Sequence, residues 1–228
     1  MRSGNLYIDI ETLPPLLWPE HERTAYVAAK VPGQYKKPES IAAWCQENYE
    51  EQWGRAALDW RVSRIACIGV MWEPDDSEVI RSACFLGGPS DEAEHRMFTH
   101  LSDFLREHKA WAAHIIGHNV LAFDLPRLHI TAARLGHSLA AWVHDINAES
   151  RKRVTDTMHI AFPTKERVGL SDLACALGVG DKSGHGSEVL PLWLAGRHSD
   201  ITDYCLNDVA LTRKVYLTLN GASINARS

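Results

Sequence analysis

Short runs of apolar residues, typical of buried β-strands, recur through the first half of the chain. They are rich in β-branched residues and are bounded by turn-forming ones. They predict strands at residues 5–10, 64–72, 78–86 and 114–119. The segment EPDDS between the second and third runs has the composition of a turn, so we expect it to join those two strands.

Helical periodicity dominates the segments that follow these runs. Residues 91–109 place Met97, Leu101, Phe104 and Leu105 on one face and charged residues on the other. A second helix is predicted from about Leu125, with Pro126 in its first turn. A third covers Leu170–Leu177 and ends at Gly178. The last runs from about Asp200 to Leu219, with Ser199 or Asp200 as its N-cap. Strands that alternate with helices in this way indicate an α/β fold.

Residues 13–62 interrupt this alternation between the first two strands. We interpret residues 1–228 as a single domain that carries this segment as an insertion. The aromatic residues of the insertion are expected to pack against one another in a small subdomain. The alternative is that some of its tryptophans stack on bases or line a substrate channel. The insertion is rich in tryptophan and proline: Trp18, Trp44, Trp53, Trp60, Pro14, Pro15, Pro19, Pro32 and Pro38.

The composition is that of a protein with a real hydrophobic core. Of the 228 residues, 45% are hydrophobic and 23% are charged. No apolar stretch approaches the ~20 residues of a membrane helix. The N-terminal segment is charged and strand-like, unlike a signal peptide, so we expect a cytoplasmic protein with no membrane partner. The net charge of −5 argues against bulk electrostatic coating of nucleic acid, although bound cations can reverse the local field of an acidic site.

Cysteine and histidine offer only a weak case for a zinc site. The five cysteines form no CxxC pair, and each lies among apolar neighbours, so we expect reduced, mostly buried thiols. His114 and His118 share one face of a predicted strand, which is the basis of a zinc alternative. Neither CxxC nor HExxH accompanies them, and oxygen ligands offer the stronger candidate site.

Four carboxylates in three separate segments are the candidates for metal-dependent chemistry. Asp9 and Glu11 lie two apart on one predicted strand, so both side chains point to the same face. Two like charges at the end of a buried strand are costly unless they face solvent or meet a cation. Asp124 precedes a helix, where the ordinary role is an N-cap. Asp208 lies four residues after Tyr204, a spacing that usually produces a local hydrogen bond on one helix face.

In this order, the three segments resemble the motifs of the DEDD exonuclease superfamily, which has a ribonuclease H-like fold. The third segment has the form of the tyrosine branch, since the histidine branch would place histidine where this chain has Asp203. The similarity is to the proofreading exonuclease domain of family-B DNA polymerases and its free-standing relatives. The segments that carry it are Asp9-Ile10-Glu11-Thr12, Gly117-His118-Asn119 with Phe123-Asp124, Lys182 to Trp193, and Tyr204-Cys205-Leu206-Asn207-Asp208.

The resemblance implies a mixed five-stranded sheet flanked by helices and a metal-dependent 3′→5′ exonuclease. It would release nucleoside monophosphates from the 3′ end of DNA, with single-stranded DNA as the expected substrate. Asp9, Glu11 and Asp208 would hold one of two divalent cations, and Asp9 with Asp124 would hold the second. Oxygen ligands favour Mg²⁺ or Mn²⁺, and such a pair serves phosphodiester hydrolysis. Tyr204 would position the attacking water.

The same resemblance implies a set of substrate contacts. The backbone around Thr12 and Leu13 would lie against the terminal nucleotide, and Asn119 and Phe123 would contact the last nucleotides. Core packing is the alternative role for Phe123. Arg127 has two candidate roles, a phosphate contact or a surface ion pair. Other basic residues would either guide the strand or remain solvated: Arg151, Lys152, Arg153 and Lys165.

Three other functions stay open on the sequence alone. A structure-specific endonuclease on the same fold also uses clustered acids, although Tyr204 four residues before Asp208 argues against it. A 3′→5′ exoribonuclease differs in contacts to the 2′ position, which the sequence does not place. A non-catalytic nucleic-acid-binding module would not need all four carboxylates. The chain shows no polymerase-like segment, so a polymerase or repair partner would be a separate protein of unknown identity.

Overall fold

The computed structural model describes residues 4–148, 153–163, 167–182 and 184–221. Its centre is a mixed sheet of five strands: β1 (Gly4–Leu13), β2 (Arg64–Pro74), β3 (Arg81–Leu86), β4 (His114–Gly117) and β5 (Val154–Asp156). The order across the sheet is β3-β2-β1-β4-β5. β2 runs antiparallel to β1 and β3, whereas β4 runs parallel to β1 and β5. The predicted α/β architecture is confirmed, and it is consistent with a ribonuclease H-like fold.

Nine α-helices surround the sheet in the described part of the chain. They are α1 (Glu20–Ala28), α2 (Pro38–Arg55), α3 (Asp91–Glu107), α4 (Asp124–Arg134), α5 (Leu139–Ala148), α6 (Thr157–Ala161), α7 (Leu170–Leu177), α8 (Val189–Leu194) and α9 (His198–Leu219). Short 3₁₀ turns lie at Ala56–Leu58, Ala110–Ala112 and Gly186–Glu188. Among the described residues, no helix has both the length and the apolar character needed to cross a membrane.

Two helices have boundaries with clear local causes. α3 begins after Ser90, whose hydroxyl oxygen accepts a hydrogen bond from the Ala93 amide at 3.2 Å. Met97 and Leu101 of α3 are buried, as the periodicity predicts. α7 ends at Gly178, where φ is +68°, a conformation that glycine adopts without steric cost.

The side chains of β1 point alternately to the two faces of the sheet. Leu6, Ile8 and Ile10 enter the main hydrophobic core, to which α3, α4 and α5 contribute. Because side chains alternate along a strand, Asp9 and Glu11 point to the opposite face, against which α9 packs. The pairing of β1 with β2 shifts register immediately after Glu11. Such an irregularity re-aims the side chains at the end of a strand.

Three buried, hydrogen-bonded side chains fix α9 to the sheet. The Arg213 guanidinium on α9 donates to Glu73 of β2 at 2.7 Å. The Tyr7 hydroxyl donates to the other Glu73 oxygen at 2.9 Å. Removal of one partner from a buried ion pair costs roughly 3–5 kcal/mol, because the other charge is then left unpaired. These contacts therefore hold the helix that carries Asp208 in one position on β1 and β2.

The insertion forms a helical pair with its own small hydrophobic cluster. α1 and α2 pack against each other, and Trp53, Val27 and Ala56 are buried between them. Trp18 lies 6.4 Å from Trp53 between ring centroids. Internal packing is therefore the main role of these aromatic residues. Trp60 differs, since 59% of its surface is exposed.

The structure corrects several element boundaries. β3 begins at Arg81 rather than at residue 78, and Val79 is exposed, so pairing there would bury little apolar surface. α9 begins at His198, and neither Ser199 nor Asp200 caps it. Gly196, with φ of +70°, ends α8 and turns the chain directly into α9. The sequence analysis did not locate five helices, α1, α2, α5, α6 and α8, or the strand β5, which is only three residues long.

Candidate active site

Three carboxylates converge at the end of β1. Asp9 and Glu11 project from β1, and Asp208 projects from α9, which crosses that face of the sheet. One ligand oxygen from each lies within 4.8 Å of the other two. Glu11 and Asp208 are buried, whereas Asp9 is partly exposed. Residues far apart along the chain therefore form one compact acidic cluster.

Asp124 lies beside this cluster rather than in it. It is the first residue of α4 and is buried, and its Oδ1 accepts a hydrogen bond from the Ile10 amide at 3.0 Å. Its charge acts on the pKa of both Asp9 and Glu11. The ordinary N-cap role is not observed, because Phe123 occupies that position and its side chain makes no cap bond.

Lys182 is the functional candidate that the sequence did not single out. Its ammonium forms an ion pair with Asp208 Oδ2 and lies 3.1 Å from the Tyr204 hydroxyl. It also lies 5.3 Å from the Tyr204 ring centroid. The only sequence signal was its position in the segment that resembles the exonuclease relatives. Tyr204 and Asp208 share one face of α9, as predicted from their spacing.

Burial raises the pKa of each candidate acid, and repulsion between the carboxylates raises it further at Asp9 and Glu11. The pKa of Glu11 is raised to about 8, first by burial and then by Asp208. Burial raises the pKa of Asp124 to about 7. The pKa of Asp9 is raised well above its usual value by burial and then by Asp124 and Glu11, and burial also raises that of Asp208. These acids therefore cannot all ionise near neutral pH unless a cation neutralises them.

The neighbouring tyrosine and lysine keep their protons at neutral pH. Burial, followed by the charges of Glu11 and Asp208, raises the pKa of Tyr204 above its usual value. Burial, the largest single effect, lowers the pKa of Lys182, but the hydrogen bonds and charges of Asp208 and Tyr204 together outweigh burial and raise it. The site thus presents a phenolic donor and an ammonium to whatever lies above the carboxylates.

The donor set fits hard divalent cations. All of the clustered ligand atoms are carboxylate oxygens, which suit Mg²⁺ and Mn²⁺ better than soft metals. Asp208 Oδ1 is buried and has no hydrogen-bond partner in the structure. An unpaired buried carboxylate oxygen is costly, and a cation would satisfy it. The geometry of Asp9, Glu11 and Asp208 therefore accommodates at least one such ion.

The loop between β4 and α4 carries the predicted nucleotide contacts Asn119 and Phe123. Asp156 shapes this loop, because it accepts hydrogen bonds from the Asn119 amide at 2.9 Å and the Leu121 amide at 3.1 Å. Asn119 has a φ of +59°, and its Oδ1 is buried without a hydrogen-bond partner. Phe123 packs partly against the core, which was its alternative role, and it also lines an open cleft, so its contact with a nucleotide stays a prediction.

The side chains of Thr12 and Leu13 are buried, so a nucleotide could contact little more than their backbone. The Leu13 side chain is fully buried in a cluster with α8 and α9, and Thr12 is 7% exposed. The contact of their backbone with the terminal nucleotide stays a prediction.

The basic residues show mainly structural roles where they are described. Arg127 is buried, donates to the Leu58 carbonyl, and lies 4.1 Å over the Phe123 ring, so the expected surface ion pair is wrong. The Arg153 guanidinium donates to the Trp111 carbonyl at 2.6 Å, which ties β5 to the turn before β4. The other three members of the basic set lie outside the described residues: Arg151, Lys152 and Lys165.

The histidine-based zinc alternative is not supported. His118 bonds to Thr157 at 2.9 Å and to the Val168 carbonyl at 2.8 Å, which uses both ring nitrogens. His114 bonds to Thr155 at 2.7 Å. Neither histidine belongs to a group of three metal-ligating side chains among the described residues.

Two open clefts flank the acidic cluster. The first, of about 390 Å³, joins the end of the insertion to the start of α4. The residues that line it are Leu58, Trp60, Asn119, Ala122, Phe123, Pro126, Arg127, Ile130 and Arg167. The second, of about 430 Å³, lies along α8 and α9 and includes Tyr204 and His185. The clefts lie next to the cluster through Phe123, which precedes Asp124, and through Tyr204, which lies one helical turn before Asp208.

Comparison with protein families adds independent information about the chain. A family model described as "Predicted 3'-5' exonuclease related to the exonuclease domain of PolB" matches residues 57–225. The matched segment includes Asp124, Lys182, Tyr204 and Asp208, but it begins after β1 and the insertion helices. No curated protein and no solved structure matches the chain. The two carboxylates of β1 are therefore linked to the others by the structure rather than by the match.

Proposed function

Because the chain belongs to the family of predicted 3′→5′ exonucleases related to the exonuclease domain of PolB, we propose that it degrades single-stranded DNA from the 3′ end. In this proposal it releases nucleoside monophosphates and depends on two divalent cations, Mg²⁺ or Mn²⁺.

The convergence of Asp9, Glu11 and Asp208 is the observation that supports the proposal most strongly. Three acids within 4.8 Å of one another, two of them buried, can carry more negative charge than the single ammonium of Lys182 neutralises, so they would repel without a metal ion. Asp208 Oδ1 adds a buried oxygen that lacks a partner. A purely structural cluster would be expected to contain a compensating hydrogen bond at each oxygen.

Asp9, Glu11 and Asp208 would hold the first ion, and Asp9 with Asp124 would hold the second. Two bound cations supply an activated water and neutralise charge on the phosphate and the leaving oxygen. Tyr204 keeps its proton, so it acts as a hydrogen-bond donor that orients the water rather than as a base. These assignments follow from the resemblance and agree with the side-chain positions.

Lys182 has two roles in the proposed reaction. Its hydrogen bonds hold Asp208 and the Tyr204 hydroxyl in one arrangement. With a cation held by Asp208, the neighbouring ammonium would add positive charge beside a bound phosphate. A lysine with a raised pKa carries this charge throughout the neutral range.

The cleft beside α4 supports a single-stranded substrate. It combines the exposed faces of Trp60 and Leu58 with Phe123 and the Arg167 side chain. Aromatic faces next to cations bind unpaired bases by stacking and their phosphates by charge. Bases in a duplex are already stacked and would first have to separate, so this surface favours single strands.

Digestion of matched oligonucleotides tests the proposal. A 5′-labelled strand should give a metal-dependent ladder, and a 3′-labelled strand should release single labelled nucleotides early. Both patterns should vanish with chelator. Internal cuts that do not depend on the 3′ end would instead establish an endonuclease. Cleavage of RNA but not DNA would establish an exoribonuclease, and cleavage of neither would favour a binding module.

A further inference from the structure

Three of the five cysteines meet beside β1, although they are distant in sequence. Cys67 lies on β2, Cys84 on β3 and Cys205 on α9. Their sulfur atoms all lie within 4.8 Å of one another. Cys45 and Cys175 belong to no such group of ligating side chains in the described residues, and Cys175 is exposed.

Gly69 creates the space in which the third sulfur sits. Gly69 pairs with Cys84 across the sheet, and Cys67 lies two residues away on the same strand face. A β-carbon on Gly69 would lie only 2.7 Å from Cys205 Sγ. The helix can therefore place Cys205 directly on the sheet, where its sulfur meets those of Cys67 and Cys84.

The cluster is closed on the inside and accessible from one side. Cys67 and Cys205 are buried, and Cys84 is only partly buried, so an ion can enter past Cys84. Hydrogen bonds from Cys205 and then Cys67 lower the pKa of Cys84 to about 5. The buried neighbours Ala66 and Ile201 surround the sulfurs with apolar surface.

The sulfur cluster is separate from the carboxylate cluster but touches it. The Cys205 thiol donates weakly to the Asp9 carbonyl at 3.6 Å and lies 3.7 Å from its Oδ2. Sulfur ligands select soft or borderline ions such as Zn²⁺, whereas the carboxylates select Mg²⁺ or Mn²⁺. The two donor sets would therefore discriminate between different metals.

We propose that Cys67, Cys84 and Cys205 form a second metal site, which binds one Zn²⁺ through three thiolates and leaves a fourth position for solvent. The occupied site joins β2, β3 and α9 behind Asp9, and so fixes the helix that carries Asp208 against the sheet. This inference does not depend on the proposed exonuclease activity.

Co²⁺ is the spectroscopic probe for this site in the full, reduced chain. One equivalent should produce sulfur-to-metal charge-transfer absorption, which carboxylate ligands cannot give. Loss of one ligand in Cys84→Ser should weaken binding by more than the roughly 10–100-fold that loss of a supporting contact costs. Cys175→Ser and Asp208→Asn should keep the absorption, and excess Zn²⁺ should abolish it.

Alkylation of the unmodified chain gives a test that needs no variant to fold. With Zn²⁺ present, peptide mass spectrometry should show protection of Cys67, Cys84 and Cys205 but unchanged labelling of Cys45 and Cys175. Equal labelling with and without Zn²⁺, or no charge-transfer absorption with Co²⁺, would show that the three thiols only pack together.

Discussion

Different contacts stabilise the insertion and the sheet with its helix α9. In the insertion, Trp18 and Trp53 pack on each other, and no clustered acid is found among its described residues. The sheet and α9 instead carry the three clustered carboxylates of the candidate site and a buried ion pair. Helix α4 connects the two regions, because it carries Asp124 beside the cluster and its Arg127 donates to the Leu58 carbonyl at the end of the insertion.

Under the proposed function, this difference separates the chemical step from substrate binding. The geometry of the carboxylates depends on the contact of α9 with β1, which the bond between Glu73 and Arg213 helps to fix. The insertion contributes an exposed surface, Leu58 and Trp60, to the cleft beside Phe123. Changes in the sheet and α9 should therefore reduce the rate of the chemical step, whereas changes in the insertion should weaken substrate binding.

The largest expected effect is that of Asp208→Asn. It removes a ligand charge without changing side-chain size. Loss of about 4 kcal/mol of transition-state stabilisation corresponds to a fall in kcat of about 10³-fold. Single-turnover cleavage of a 5′-labelled oligonucleotide measures it. Asp103→Asn, an exposed acid of α3, is the matched control and should keep full activity.

Lys182→Ala should have the next largest effect. Loss of a single preorganised charge from a site typically costs about 10²-fold in kcat. KM should change little, because the ammonium lies at the carboxylates and not in the base-binding cleft. Lys214→Ala, on the exposed side of α9, is the control. A change in KM alone would assign Lys182 to strand binding.

Metal affinity should fall as pH falls. Glu11, with a pKa of about 8, and Asp124, with a pKa of about 7, take up protons below those values, and protons compete with cations. The apparent Kd for Mn²⁺ should rise about tenfold per pH unit for each proton displaced. Titrations between pH 6 and pH 9 at constant ionic strength measure this. Equal affinity at pH 6.5 and pH 8.5 would contradict ligation by these acids.

Trp60→Ala should have the smallest effect and should act on binding. Loss of stacking on one base costs about 1 kcal/mol or more, which corresponds to a rise in KM of about 5-fold. The chemical step at saturating DNA should be unchanged. Leu17→Ala removes an equally exposed apolar side chain of the insertion that does not line the cleft, and it serves as the control. Equal KM values for both variants would remove the insertion from the substrate path.

Local periodicity was enough to predict much of the fold. β1, β2, α3 and α7 follow from alternation, amphipathicity and capping, and their burial agrees with that pattern. β5 was missed because three residues between basic and polar neighbours carry no measurable periodicity. α1 and α2 bury only Val27 and Trp53, so neither shows a continuous apolar stripe.

The candidate site was predicted mainly from the order of its sequence motifs and less from the physical properties of each residue. Each carboxylate alone had an ordinary structural explanation. Contacts between distant residues could not be predicted, because no local sequence pattern indicates that Lys182 meets Asp208 or that Cys67 meets Cys205. Those contacts arise only when α9 packs on the sheet, at a closeness that Gly69 permits.

The most direct test counts bound Mn²⁺ and measures cleavage with the same protein preparations. Electron paramagnetic resonance quantifies the Mn²⁺ bound together with a 3′-phosphorothioate oligonucleotide, which resists hydrolysis, and a matched unmodified oligonucleotide reports cleavage. We expect two ions for the unmodified chain, and fewer ions together with lost 3′ release for Asp208→Asn. Nucleotide release in the presence of chelator, or two bound ions and full cleavage in Asp208→Asn, would contradict a two-metal site that includes Asp208.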